Sequence, residues 1–268
     1  MIGSRPVMSF ARTLVLLPAL LAALPIPAPA LAEPLEACFV TWPPYEQTID
    51  GKPAGLTVDI MAEAARRAGY QIRFTERPWR RCLADVADGA ADLFLDGSDH
   101  PEYLRGRNPT AAFVNAFFVR TDDPLRRYDG VAALEGRSIG LVRTYTYPAE
   151  IRDLPGLQRN LAPETDEQQA TMLAAGRFDL LLGDLVNIRA LAAADHLAIR
   201  SLSPAFSVTP LYPHFGQGAA LPMHRIDEAL GAMQADGTID RIYRARIGTG
   251  LGDLLAGRLQ PARSEMEP

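Results

Sequence analysis

Gly89-Ala90-Ala91-Asp92-Leu93-Phe94-Leu95-Asp96-Gly97 is a glycine stop, a short apolar strand and then a carboxylate. The chain repeats this order at Gly176-Arg177-Phe178-Asp179-Leu180-Leu181-Leu182-Gly183-Asp184. Each copy follows an amphipathic helical pattern and ends in an acid at the strand's carboxyl end. The recurrence predicts equivalent strands of two lobes, with the ends of both strands facing a shared ligand cleft.

Outward from the first copy, residues 35–41 alternate as a strand and run into Trp42-Pro43-Pro44-Tyr45, where prolines predict an extended loop outside any ladder. Thr57 is placed to cap a helix whose apolar positions Val58, Met61, Ala65 and Ala68 share a face, with Gly69 as its stop. Tyr70, Ile72 and Phe74 alternate with polar residues as a second strand. Pro78 opens a second helix with Trp79, Leu83 and Val86 on one side, ended by Gly89. The order β-α-β-α-β implies a parallel sheet with helices on its faces. A helical turn is expected after Pro101, and residues 111–120 form a long apolar run. A second unit starts at Gly136, with strands at 138–142 and 197–202, a helix opened by Thr165-Asp166-Glu167, and a helix over 185–194 after the echo strand. Pro210 to Gly218 reads as extended and turn-rich. Helices over 224–235 and 239–247 precede a glycine-rich tail that is expected to fray.

The chain has 268 residues, 48% hydrophobic and 22% charged, an ordinary globular balance. Arg5 and Arg12, the apolar run 14–24 and Ala30-Leu31-Ala32 predict a secretory signal peptide over 1–32. No cysteine directly follows that run, so no lipid anchor is expected. Removing Arg5 and Arg12 takes the formal charge from −5 to −7. That balance argues against a nucleic-acid partner. An exported, soluble, periplasmic protein follows. Cys38 and Cys82 are the two cysteines, and an even count in an oxidising compartment predicts one disulfide. No ligand spacing suits a metal, and no cofactor is expected.

Ligands of open α/β sheets bind beyond the carboxyl ends of the strands. The loops there are Trp42 to Tyr45, Asp96 to Asp99 through Gly97 and Ser98, Arg143-Thr144-Tyr145-Thr146-Tyr147, and Asp184 onward. Aromatic, hydroxyl and charged residues suit a small polar ligand. Trp42 and Tyr45 read as ligand contacts or as half-buried lids. Asp96 and Asp99 read as loop-structuring acceptors, Asp184 as a binding residue or a helix cap, and Arg143 as a surface charge or a carboxylate fork. Asp92 and Asp179, at the strand starts, read as structural. His100, His196, His214 and His224 lack partner spacing and read as surface or turn residues. Sequence templates for nucleophilic, zinc-hydrolytic or phosphate-binding chemistry are missing.

Several motifs in this order resemble one family. They are Thr41-Trp42-Pro43-Pro44-Tyr45, Gly55-Leu56-Thr57-Val58-Asp59-Ile60, Pro78-Trp79-Arg80-Arg81-Cys82-Leu83, Leu134-Glu135-Gly136-Arg137-Ser138-Ile139-Gly140, and Asp236-Gly237-Thr238-Ile239-Asp240-Arg241-Ile242. The chain resembles the family 3 extracellular solute-binding proteins, of the polar amino-acid receptor type, over nearly all of 33–248. The resemblance implies an α/β, two-lobed type II periplasmic-binding fold with two crossings and a cleft between the lobes. Lobe 1 is expected at 33–120 plus 210–268, and lobe 2 at 121–209. The resemblance gives Trp42 to ligand stacking and Asp96–Asp99 to the lobe-1 loop that hydrogen-bonds the ligand. It gives Arg143–Thr146 to a ligand carboxylate and Asp184 to an α-amino group. It also implies a monomer that captures a small polar solute and delivers it to the membrane subunits of an ABC importer.

One departure stands out. The family usually has an arginine where Tyr103 or Leu104 falls, and Arg105 is displaced by a residue, which turns a helical side chain by roughly 100°. Acids at Asp96 and Asp99 replace the usual small hydroxyls, so an amine or other cation fits as well as an amino acid. The alternatives from other classes are a dehydratase-like enzyme on the same fold, using Asp96, Asp99 or Asp184 as proton donors, and a non-transport accessory of a periplasmic redox enzyme or sensor.

Overall fold

The computed structural model describes residues 34–143, 145 and 147–257, with Met1 and Gly3. The expected signal peptide, Thr144 and Thr146 lie outside the described residues.

The chain forms β1 (Leu35–Phe39), a small hairpin of β2 (Gln47–Ile49) and β3 (Lys52–Ala54), α1 (Leu56–Ala68), β4 (Ile72–Glu76), α2 (Trp79–Ala87), β5 (Leu93–Gly97), β6 (Leu104–Arg105) and β7 (Ala111–Arg120). After a 3-10 turn come β8 (Ser138–Gly140), α3 (Ala149–Arg152), β9 (Gln158–Asn160), α4 (Asp166–Ala174), β10 (Leu180–Asp184), α5 (Leu185–Ala194) and β11 (Ile199–Ser201). The chain closes with β12 (Ser207–Phe215), α6 (Ala220–Ala235), α7 (Thr238–Ile247) and α8 (Leu251–Leu255).

The main path of the large sheet runs β4-β1-β5-β12-β7-β10-β8-β9. At one end β1 lies between β4 and β5, all parallel. At the other end β8 lies between β9 and β10, again parallel. Both groups place the first strand centrally, the second outside and the third inside, so the sequence repeat is a repeat of topology. Between them run β7 and β12, antiparallel to each other.

The correspondence reaches single hydrogen bonds. Gly89 and Gly176 both have left-handed φ, 74° and 70°. Asp92 Oδ2 accepts the Glu36 amide at 2.8 Å, and Asp179 Oδ2 accepts the Ser138 amide at 2.9 Å. Each aspartate ties the start of its strand to the neighbouring strand, the structural part expected of both.

Period-2 alternation assigns the faces. Leu93, Leu95, Ala116, Phe118 and Leu181 enter one continuous core with helix residues such as Ile60, Met61, Leu230 and Tyr243. Phe94 points the other way, to the Cys38–Cys82 disulfide and Val86. Phe117, Val119, Leu180 and Leu182 line a second cluster with Ile139 and Ile151.

Several local expectations are corrected. Helix α1 starts after Gly55, not at a Thr57 cap, because Gly55 has φ 140° and a Cβ there would sit 2.1 Å from the Tyr45 carbonyl oxygen. The segment after Trp42 is a closed turn, with the Trp42 amide donating to Glu46 O at 2.7 Å across a cis Pro43–Pro44 bond. The short piece after Pro101 is strand β6, paired with β12 through Leu104 and Arg105. Pro210–Phe215 lies within a strand paired on both sides, its irregularity falling at Pro213, which has no N–H to give. The start of the tail forms α8, held by buried Leu251 and Leu254, while residues 258–268 lie outside the described residues.

Candidate functional site

The site is built where β1, β5, β8 and β10 end. After β1, the Trp42 ring is half-buried, stacked on Tyr45 at 4.2 Å and facing Phe113 at 5.7 Å. Tyr45 is fully buried and donates its hydroxyl to Ala112 O at 3.0 Å. The turn is pinned from two other elements. Leu56 N donates to Pro44 O at 3.0 Å, and Asn187 Nδ2 from α5 donates to Pro43 O at 2.6 Å. That last bond joins the turn after β1 to the helix after β10, so strand ends from the two parallel groups meet.

After β5, Ser98 and Asp99 are exposed. Gly97 is buried against the His214 and Phe94 rings; a Cβ there would lie 2.5 Å from His214 Nδ1. Asp96 has φ 51° and turns its carboxylate inward, accepting from Thr57 Oγ at 2.5 Å and Thr110 Oγ at 3.0 Å. Burial raises its pKa.

Asp184 is 2% exposed and caps α5. Its Oδ1 accepts the Asn187 amide at 2.8 Å and its Oδ2 the Val114 amide at 2.9 Å. Desolvation pushes its pKa up to about 7 against the pull of those amides, and Asp166 adds a further upward push.

After β8, Arg143 is exposed; its Nε donates to Leu161 O at 3.2 Å and its guanidinium lies 3.6 Å from Glu164. Tyr145, 48% exposed, donates its hydroxyl to Asp166 Oδ2 at 3.1 Å. Tyr147 Oη accepts the Val142 amide at 2.9 Å. Both phenols are raised, first by desolvation and also by the Asp166 charge.

The structure therefore brings Trp42, Tyr45 and Asp184 close to one another through α5 and β7. Gly97, Ser98 and Asp99 lie at the end of β5, and Arg143 leans onto the segment before α4. Glu46, Asp166 and Asn187 carry no site signal in the sequence. Asp166 reads only as a helix opener, and no spacing announces its bond with Tyr145. Asn187 is no easier to find: any residue's amide could meet the Asp184 cap, and its Nδ2 bond to Pro43 O spans the chain.

Two histidines depart from expectation. His214 is 0% exposed on β12, stacked on Phe94 at 5.0 Å, and its pKa is lowered by desolvation to about 4. His100 packs edge-on against Trp79, Phe94 and His214. Their positions between aromatic rings come from the β5–β12 pairing, which no local spacing announces. His196 and His224 are exposed. Arg105 lies 4.2 Å over the Tyr212 ring, and Tyr103 donates to Leu83 O at 2.9 Å. Among the described residues no group of three or more His, Cys, Asp or Glu is set to hold a metal, and no helix is long and apolar enough to cross a membrane.

Solved structures similar to this one include solute receptors and a sensor domain. A histidine kinase sensor domain with similarity to periplasmic binding proteins superposes with a TM-score of 0.67 at 22% identity, covering 82% of this chain and 98% of that one. The L-cystine solute receptor of Neisseria gonorrhoeae gives 0.66 at 18% identity, over 81% and 93%. The arginine-, lysine-, histidine-binding protein of Geobacillus stearothermophilus gives 0.63 at 18%, over 84% and 100%. At these identities the likeness shows the fold, the type II periplasmic-binding architecture. No curated protein matches the chain. The family model of the bacterial extracellular solute-binding proteins, family 3, matches residues 37–249, and the chain belongs to that family.

Proposed function

We propose that the protein captures a small polar solute, amino-acid-like or an amine, between two lobes. Lobe 1 comprises 33–120 with 210–268 and lobe 2 comprises 121–209. After export to the periplasm the loaded monomer delivers the solute to the membrane subunits of an ABC importer. The observation that carries this reading is the meeting of strand ends at the Pro43–Asn187 bond, with the half-buried Trp42 ring beside it.

In this reading Trp42 stacks on the solute, Gly97, Ser98 and Asp99 hydrogen-bond it from lobe 1, and Arg143 to Thr146 contact it from lobe 2. Tyr45, Asp96 and Asp184 hold those loops from behind. The inward engagement of Asp96 and Asp184 also favours binding over proton transfer, since both carboxylates are already committed to hydroxyls and amides. Likeness to a kinase sensor domain supports a second reading, in which the loaded form signals and nothing is imported.

Isothermal calorimetry against amino acids, polyamines and quaternary amines tests the capture step. One class is expected to bind stoichiometrically and be recovered unchanged. Turnover of the ligand, or no binding across the set, overturns the reading. Uptake of the bound solute by cells with and without this protein separates transport from signalling.

A further inference from the structure

Glu46 and Asp96 meet in the interior, and the contact lacks a proton donor. Glu46 is 4% exposed, and its Oε2 has no hydrogen-bond donor around it. Its carboxyl group nevertheless lies within hydrogen-bond reach of the Asp96 carboxyl group. A serine or threonine hydroxyl has one proton to give. Those of Thr57 and Thr110 are both given to Asp96. The nearby phenols are also committed, Tyr45 to Ala112 O and Tyr243 to Thr110 O.

The titratable groups facing this contact are Tyr45 on the same turn, Tyr243 from α7 and Asp184 at the end of β10. All are neutral or acidic. Among the described residues no arginine, lysine or histidine faces Glu46 or Asp96. Two touching carboxylates in a buried site without a cation cannot both stay ionised. A proton between them supplies the missing donor and removes the like-charge repulsion at once.

We propose that Glu46 and Asp96 form a buried proton-binding site, in which one proton carried by Glu46 and donated to Asp96 fastens the Trp42–Glu46 turn to the end of β5. Thr57 on α1 and Thr110 before β7 complete the seat, so the proton joins the turn to three other elements. Loss of that proton sets two charges against each other beneath Trp42 and frees the turn. Burial raises the pKa of both groups, Glu46 well above its ordinary range. The proposal concerns the protein without ligand and stands apart from the solute reading.

Infrared spectroscopy of the ligand-free protein at neutral pH tests it. A protonated-carboxyl carbonyl band is expected in the wild type, and Glu46→Gln, whose amide keeps a donor toward Asp96, reduces it to the part that Asp184 contributes. The unfolding midpoint of the wild type is expected to fall as pH rises, with a flatter profile in Glu46→Gln. A wild type without the band, or a Glu46→Gln spectrum that keeps it in full, overturns the proposal. Should Glu46→Gln fail to fold, Asp184→Asn decides, because the pair's band must persist when Asp184 cannot titrate.

Discussion

Gly55 and Gly97 carry constraints that their neighbours impose. A Cβ at Gly55 would meet the Tyr45 backbone at 2.1 Å, and backbone cannot swing aside. Gly55→Ala is therefore expected to cost more than about 3 kcal/mol, by overpacking and positive φ together. At Gly97 the clash is with the His214 and Phe94 rings, so Gly97→Ala is expected to cost about 1–3 kcal/mol. Urea unfolding of the two variants checks the ranking. Trp42→Ala removes the half-buried ring over Tyr45 and is expected to weaken solute binding at least tenfold while leaving the fold intact; calorimetry and circular dichroism separate the two effects. The residue scale is also where the sequence was least legible. Asp184 is legible, because a helix cap has a fixed place; Asn187 is not, because its side chain reaches Pro43 O across the chain. Glu46 and His214 are not legible, because Glu46 meets Asp96 and His214 stacks on Phe94, each from a distant segment. Asp96 was visible as an acid at a strand end, but the inward turn of its carboxylate depends on φ 51° and on hydroxyls from two other elements.

At the scale of elements, pattern and structure agree wherever periodicity and a stop signal coincide. The apolar run 111–120 is β7, residues 180–184 are β10 and residues 185–194 are α5. Agreement ends at the turn-rich reading of Pro210 to Gly218. Residues 210–215 belong to β12, with Pro210 opposite Ala112 in register and the irregularity of the ladder falling at Pro213. Two elements have separable contributions. Thr165 caps α4 by accepting the Gln168 amide at 3.2 Å, and Gln168 returns a bond to the Glu164 amide. Thr165→Ala is expected to lower stability by about 1 kcal/mol. The Cys38–Cys82 bond closes a loop of 44 residues between β1 and α2. Replacing both cysteines with alanine is expected to cost roughly 4 kcal/mol, read as a fall in the unfolding midpoint that reductant no longer changes.

The whole molecule has two opposing sets of carboxyls. Glu63, between Arg66 and Arg67, and Asp236, beside Thr238 and Arg67, have pKa values held down to about 2. Their contribution is present above the unfolded values and is lost as pH falls toward 2. Asp184, Asp96 and Glu46 are raised by burial, Asp184 to about 7. Their folded forms bind extra protons, so stability is fullest below the unfolded values near pH 4 and declines as pH rises through about 7. His214, lowered by burial to about 4, works against them, since its contribution is lost as pH falls from its unfolded value toward 4. Asp184→Asn is therefore expected to flatten the decline of the unfolding midpoint between about pH 4 and 7, and a profile as steep as the wild type's would contradict the raised Asp184.

The place of β12 has a consequence for synthesis. Strand β5 is complete by residue 97, yet its partner on the inner side is residues 212–215, and the same late strand covers β7. Until then the early strands keep a bare edge, which invites pairing with other chains. The first group therefore cannot close as its residues emerge; it waits for the last third of the chain. A nascent protein arrested before residue 207 is expected to stay protease-sensitive and to engage holdases, and release of the final segment is what commits both groups to the native sheet together.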